Sequence, residues 1–183
     1  MTDWSLLHDL AHPFPDSLIR QPAPGKHGEY IKHSDVTQRM LSIVGFHDFE
    51  IVELIRGYAA EVVGRGKTPK TWPARDGAVV GCIATMRITD SEGRTHTVTE
   101  IGTEDQPAMQ SDSENAKNAA SDAYKRCAMR FGLGLHMWSP DSYFLETLLA
   151  RRVGDDEPGE SSDLAEMAEA ASDTDSASDE PAA

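Results

Sequence analysis

The sequence predicts an α+β domain: three strands in an antiparallel meander followed by one long helix, flanked by short helices and trailed by a disordered acidic tail. Three observations carry this reading. Two β-patterned runs, Val79–Thr89 and Arg94–Gly102, flank the tight-turn sequence Asp90-Ser91-Glu92-Gly93. Small apolar residues then recur at helical spacing between Asp112 and Phe131. From about Gly154 the chain is Asp, Glu, Ser, Ala and Pro, with Leu164 and Met167 its only sizeable apolar side chains, too little burial to offset the entropy of ordering it.

Taken in order, Asp3–Leu10 reads as a short helix ended by His12-Pro13, and a Pro-rich extended segment runs on through Pro24-Gly25. A second helix follows, with Ser34 as N-cap, Val36, Met40, Ile43 and Val44 as its apolar face, and Gly45 at the stop. Phe49–Val63 is the first predicted strand. In the following hairpin, pairing Thr89 with Arg94 puts Val80, Cys82, Ala84, Met86 and Ile88 on one face with Thr95, Thr97, Thr99 and Ile101, and leaves Arg87 and His96 on the other.

The long helix is predicted over about Asp112–Phe131, capped by Ser111 or Ser113, with Glu114 near the positive end of its dipole. Its packing stripe is Ala116, Ala120, Ala123, Cys127 and Phe131, small enough for close approach to a sheet. A last helix is predicted to open at Ser139-Pro140-Asp141 and to carry Tyr143, Phe144, Leu148 and Leu149. The domain is therefore placed at 1–153 and the tail at 154–183.

A net charge of −14 argues at first against nucleic acid, but its distribution reverses the inference. The 11 acids beyond Arg152, where no base occurs, leave 20 acidic side chains against 17 basic ones in the body. A nearly neutral body can carry a basic groove. No apolar run approaches the roughly 20 residues that cross a bilayer, and the first ten residues do not resemble an export signal. A protein of the cytoplasm is expected, with no membrane partner. Cys82 and Cys127 lack metal or redox spacing and read as buried free thiols; the 7 histidines are scattered, His96 falling beside Arg87 in the predicted hairpin. No metal and no cofactor is expected.

Cations concentrate in two places. On the long helix Lys125 and Arg126 are adjacent and Arg130 lies one turn beyond Arg126, a spacing at which arginines meet successive phosphates. Lys125 projects away from the other two, and Asp122 is spaced to pair with Arg126 on an ordinary solvated helix, so spacing alone leaves both readings open. The second region is the segment from Gly64 to Arg75. It sets Arg65, Lys67, Lys70 and Arg75 around Trp72, a mixture suited to phosphates and one stacked base, and equally that of a plain surface loop.

The run Tyr124-Lys125-Arg126-Cys127-Ala128-Met129-Arg130-Phe131-Gly132, preceded by Glu114 and Lys117, resembles the signature helix of the Rad52/22 family of single-strand annealing proteins. Arg20, the Pro/Gly-rich turn after it and Tyr30-Ile31 resemble that family's early motif, in the same order; the likeness covers about residues 4–150, and the short body with an acidic tail is most similar to phage members. The resemblance implies a β-β-β-α core that assembles into rings or helical arcs, with a basic groove holding single-stranded DNA by its backbone while bases stay exposed for pairing. By position it implies that Arg20, Lys125 and Arg126 contact phosphates and that Tyr30 lies beside them. The family often has a further arginine at the position of Met129; here the cation stands one place later, at Arg130.

The expected function is therefore single-strand binding and annealing in recombination and repair, without enzymatic chemistry. The partners are single-stranded DNA, further copies of the chain, and a replication or repair protein drawn to the acidic tail. The rival reading is a protein that coats and protects single strands without annealing them, though an OB barrel wants five strands and three are found. A nuclease would need converging acids, and Glu100, Glu104 and Asp105 are the tempting cluster, without a lysine to complete the pattern.

Overall fold

Helix capping and turn chemistry mark out most of the chain, and the computed structural model describes residues 3–22, 28–64, 68–139 and 142–154. In order these form α1 (Trp4–Ala11), α2 (His33–Val44), β1 (Asp48–Ala59), β2 (Val62–Val63), β3 (Thr71–Trp72), β4 (Arg75–Thr89), β5 (Thr95–Thr103), α3 (Asp112–Arg130) and α4 (Leu145–Gly154). Strands β1, β4 and β5 make one antiparallel sheet in that order, and β2 and β3 a separate small hairpin. The architecture is the predicted α+β one. Of the tail predicted over 154–183, Gly154 is the last residue of α4, and residues 155–183 lie outside the described residues, as does the Pro24-Gly25 turn.

Helix α3 covers one face of the sheet. Its start is a complete capping box: the Ser111 side chain accepts from the Glu114 N–H, and the Glu114 carboxylate accepts from the Ser111 N–H at 3.0 Å. Cys82 and Ala84 meet Ala119 and Ala123 in a seam of small residues, and Gly102 of β5 sits directly beneath Ala119 and Ala123. The larger core lies toward the helix C-terminus, where Met86, Ile88, Tyr124, Cys127 and Leu133 pack with Leu10, Phe14 and Met40. Both cysteines are buried free thiols; burial pushes Cys127 up to about 11, so it stays protonated at neutral pH.

The hairpin register differs from the predicted one by a single residue, with large consequences. Asp90 pairs with Arg94, and Gly93, at φ 80°, donates its N–H to the Asp90 carbonyl, so the loop has three residues with a left-handed glycine at its end. Thr89 therefore faces Thr95, not Arg94. The shift swaps the faces of β5: His96, Val98, Glu100 and Gly102 now share the helix side with Ile88, Met86, Ala84 and Cys82. Arg87 faces Thr97 and reaches Glu50 at 3.2 Å, while His96 Nε2 donates to Asp90 Oδ2 at 2.8 Å; the two are not neighbours on one face.

Asp90 is buried and gathers that turn. Besides His96 it accepts from Arg94 Nε at 2.7 Å and from the backbone N–H groups of Glu92 and Arg94. The His96 hydrogen bond, with help from Arg94 and those N–H groups and against the cost of burial, holds the carboxyl well below the usual carboxylate range. Stability tied to a depressed carboxyl is full above its unfolded value, about 3.9, and is lost as pH falls through the folded value. Asp90→Asn is thus expected to melt well below the parent at pH 7, with the gap narrowing as the pH drops below 4; melting curves across that range check it.

Four further boundaries depart from expectation. Helix α2 begins at His33 with Lys32, extended, at the cap, and Ser34 inside the first turn, because Tyr30 is held extended by its bridge to Arg20 and the chain turns helical at the next opportunity. The first strand stops at Ala59, and Val62–Val63 pairs with Thr71–Trp72, so the presumed loop after Gly64 returns as a hairpin and β4 starts early at Arg75. The α3 stripe is Asn115, Ala119, Ala123 and Cys127 with Tyr124 and Ala128, rotated from the predicted one; Ala116, Ala120 and Phe131 are half-buried. The rotation follows from Asn115, whose buried amide donates to the Val79 and Pro107 carbonyls at 3.0 and 2.9 Å. Helix α4 begins at Leu145, leaving Tyr143 and Phe144 ahead of it, and Pro140 and Asp141 of the predicted cap lie outside the described residues.

Candidate nucleic-acid interface

The site is built around the end of α3. Phe131 caps the helix and Gly132, at φ 100°, reverses it; Gly132 N–H donates to Met129 O and Leu133 N–H to Ala128 O, the paired bonds that satisfy a helix's last carbonyls. A 3-10 turn over Leu135–Met137 then carries the chain back beside the helix, setting Trp138 with its ring centroid 5.6 Å from the Arg126 guanidinium carbon. From the other side, Arg20 and Tyr30 form an isolated antiparallel bridge with reciprocal backbone bonds of 2.8 and 2.9 Å, which puts their side chains on one face.

Between Tyr30 on that side and the end of α3 lies a cleft of about 300 Å³, with Arg20 outside its lining. Tyr30, Lys125, Arg126 and Trp138 line it over an apolar floor that includes Phe14, Ile31, Met129, Leu133 and Met137. Asp122, Lys125, Arg126 and Met129 share the outward face of α3 because Ala123, Tyr124, Cys127 and Ala128 take the inward one. Arg126 Nε donates to Asp122 Oδ2 at 2.9 Å, and Asp122 also accepts from the Thr103 N–H. The pair predicted for a solvated helix thus exists, and it engages the Nε of an arginine that also lines the cleft. No acid pairs with Lys125 or Arg20 among the described residues.

Arg130 is not part of this group. It lies one turn on, but its guanidinium reaches Glu100 of β5 at 2.8 Å, on the side of the helix facing Asp3, Leu6 and His96. The shifted register is the cause, since it brings Glu100 to the helix side. Spacing along α3 was a poor guide because the partner comes from another strand.

The second basic region stands at the other end of α3. Arg75 donates to the Pro107 carbonyl at 3.0 Å and to Asp112 at 3.1 Å, where Arg56 joins it. Those contacts hold Asp112 below the usual carboxylate range, the Arg56 hydrogen bond first. Trp72 is half-buried over Ala59, Ala78 and Ala108, with Lys70 Nζ 4.9 Å from its ring. Arg75 and Trp72 therefore brace this corner of the fold. Arg65 and Lys67 lie outside the described residues. From Asp112 to Lys125 is about 20 Å along the helix, so the two regions do not form one patch.

Some residues of the site had no visible role in the sequence. Trp138 joins the cleft only because the helix stop at Gly132 folds the chain back; a Phe-Gly-x-Gly run after an amphipathic helix was the available signal. Tyr124, inside the signature run, is core, its hydroxyl bonded to His47 Nε2 at 2.7 Å and its pKa raised by burial. Glu104 accepts from Asn118 at 2.8 Å and Glu100 serves Arg130. Among the described residues no three metal-ligating side chains converge, and no helix is long and apolar enough to cross a membrane.

A family model described as the Rad52/22 family double-strand break repair protein matches residues 5–147. No curated protein matches the chain closely enough to stand as a relative. The matched span runs from the second residue of α1 to the first turn of α4, including the Arg20–Tyr30 bridge and the whole of α3. Covering well over half of the 183 residues, it shows that the chain belongs to the Rad52/22 family of double-strand break repair proteins, with a role in DNA repair and recombination.

Proposed function

We propose that the protein holds single-stranded DNA by its phosphates at the mouth of the α3 cleft and promotes pairing of complementary strands, acting as a homo-oligomer and carrying out no covalent chemistry. The observation that carries this is the convergence of Tyr30, Lys125 and Arg126 on one cleft, from segments nearly a hundred residues apart in sequence. Cations on phosphates bind without regard to sequence and release counterions. A protein gripping backbones leaves base edges free to pair and lowers the repulsion between strands.

Two or three cations per subunit bind weakly, so repetition across copies is needed for avidity. Strand β1 suits that purpose. It is an edge strand of 12 residues, paired on its β4 side with no second neighbour among the described residues, with Val52 standing at a bulge and Ile51, Val52, Leu54 and Tyr58 exposed. Long apolar edges of this kind pair with other chains unless blocked. Val52→Lys/Tyr58→Glu is expected to convert the assembled protein to monomer, read by light scattering, and to weaken strand binding at unchanged helix content.

The test of the function itself is fluorescence-detected annealing of two complementary oligonucleotides over a salt series. Faster pairing that fades as salt rises supports the proposal. Tight binding to each strand with pairing unchanged would replace it with a protective coat, and magnesium-dependent loss of the strands would replace it with a nuclease.

A further inference from the structure

Phosphate contacts explain the cations at the cleft mouth but not the cleft. Its lining is predominantly apolar, and two exposed aromatics face into it: Tyr30, 44% exposed, and Trp138, 62% exposed. A tryptophan left this open on a small domain forgoes much of the burial its size offers. Three surrounding features say what it waits for. Arg126 supports one part of the indole, leaving most of it uncovered. Met129 and Met137 supply polarizable sulfurs, a surface that accepts flat rings of varied shape. Lys125 and Arg126 line the same cleft, within reach of an anionic group attached to such a ring.

A flat, apolar-faced heterocycle tethered to a phosphate is a nucleotide. We propose that the cleft takes one nucleobase per subunit, stacked on Trp138 with Tyr30 lining the pocket, while the flanking phosphates rest on Lys125 and Arg126. This rests on the single-strand reading above and deepens it. About 300 Å³ is at the lower end of the volumes of ligand pockets, roughly 300–1,000 Å³, enough for one base and not for a run of them. Stacking on an indole is indifferent to base identity because every base has a π face. The anchored base would hold the strand in register on the subunit, and its neighbours would remain open for pairing.

The alternative occupant is a side chain of a second copy, and the experiment separates the two. The chain has 3 tryptophans, so Trp4→Phe/Trp72→Phe leaves Trp138 as the only indole. That protein is titrated with oligo-dT and with an abasic oligonucleotide of equal length, which has the same phosphates and no bases. The expected result is quenching of Trp138 by oligo-dT and binding about tenfold tighter than to the abasic strand, the scale of one stacked base. Trp138→Ala is expected to bring that ratio close to one, Trp138→Phe to restore part of it, and Lys125→Ala to weaken both strands by the same factor. An unchanged ratio in Trp138→Ala, or Trp138 emission unaffected by bound oligo-dT, overturns the base-stacking inference and leaves phosphate binding standing. Emission that shifts with protein concentration alone would assign the cleft to a second copy. Failure to bind either strand overturns the single-strand reading together with the inference.

Discussion

Lys125→Ala/Arg126→Ala is expected to lose strand annealing and to bind single-stranded DNA at least a hundredfold more weakly at moderate salt. A charge-assisted hydrogen bond to phosphate contributes about 1.5–3 kcal/mol, and both would go at once. The salt dependence should change with it. Each counterion released from a single strand contributes about 0.7 to the log–log slope, so the slope should flatten by roughly 1.4 for each subunit in contact. Folding should survive. Arg126 gives up its partly buried pair with Asp122 and its contact with Trp138, together about 1–2 kcal/mol, and Asp122 keeps the Thr103 N–H. For a chain of this size that lowers the melting temperature by only a few degrees. A double variant that anneals strands as the parent does would remove these two residues from the site. Arg130→Ala is the internal comparison, since its partner is Glu100 and it lies outside the cleft.

Gly102→Ala is expected to have the largest effect on stability. A β-carbon there would lie 2.0 Å from the Ala119 carbonyl oxygen, 2.5 Å from the Ala123 nitrogen and 2.8 Å from the Ala123 β-carbon. Two of these atoms are helix backbone and the third is attached to it, so no side chain can swing aside; α3 must lift from the sheet. Doing so opens the seam of Cys82, Ala84, Ala119 and Ala123 along its length. Overpacking of a tight core costs about 1–3 kcal/mol where neighbours can adjust and more where they cannot. Against a total stability of about 5–15 kcal/mol, this is a fall of about 10 °C or more in melting temperature. A thermal or urea melt checks it, and a variant melting with the parent would mean that α3 does not lie this close to β5. The same lift would move Lys125 and Arg126 relative to Tyr30, so strand binding should weaken even below the melting range.

Membership in a family of repair proteins was legible in the signature run of α3 and in the early arginine and Tyr-Ile pair, because these are contiguous in sequence. The geometry of the site was less so. Lys125 and Arg126 were legible as a pair and are together in the cleft. Arg130, Trp72 and Arg75 read as equally available cations and aromatics, yet each is engaged with a residue distant in sequence: Glu100, the Ala59 cluster and Asp112. Trp138 carried no pattern by itself.

What the sequence determined by itself is whatever depends on a few neighbouring residues: the α+β order of elements, the start of α3 at a serine cap beside Glu114, the stop of α2 at Gly45, and the turn at Asp90–Gly93. Caps, turns and helical period act over three or four residues, so their signals are local. Tertiary structure decided the rest. The close packing of α3 over Gly102 holds a register that alternation alone could not choose, because a shift of one residue preserves the pattern and exchanges the faces. That exchange took Glu100 to Arg130 and Gly102 under α3, and Asn115 reaching Val79 and Pro107 fixed which side of the helix turned inward. The direction in which Lys125 and Arg126 point follows from those long-range contacts, which no local periodicity encodes.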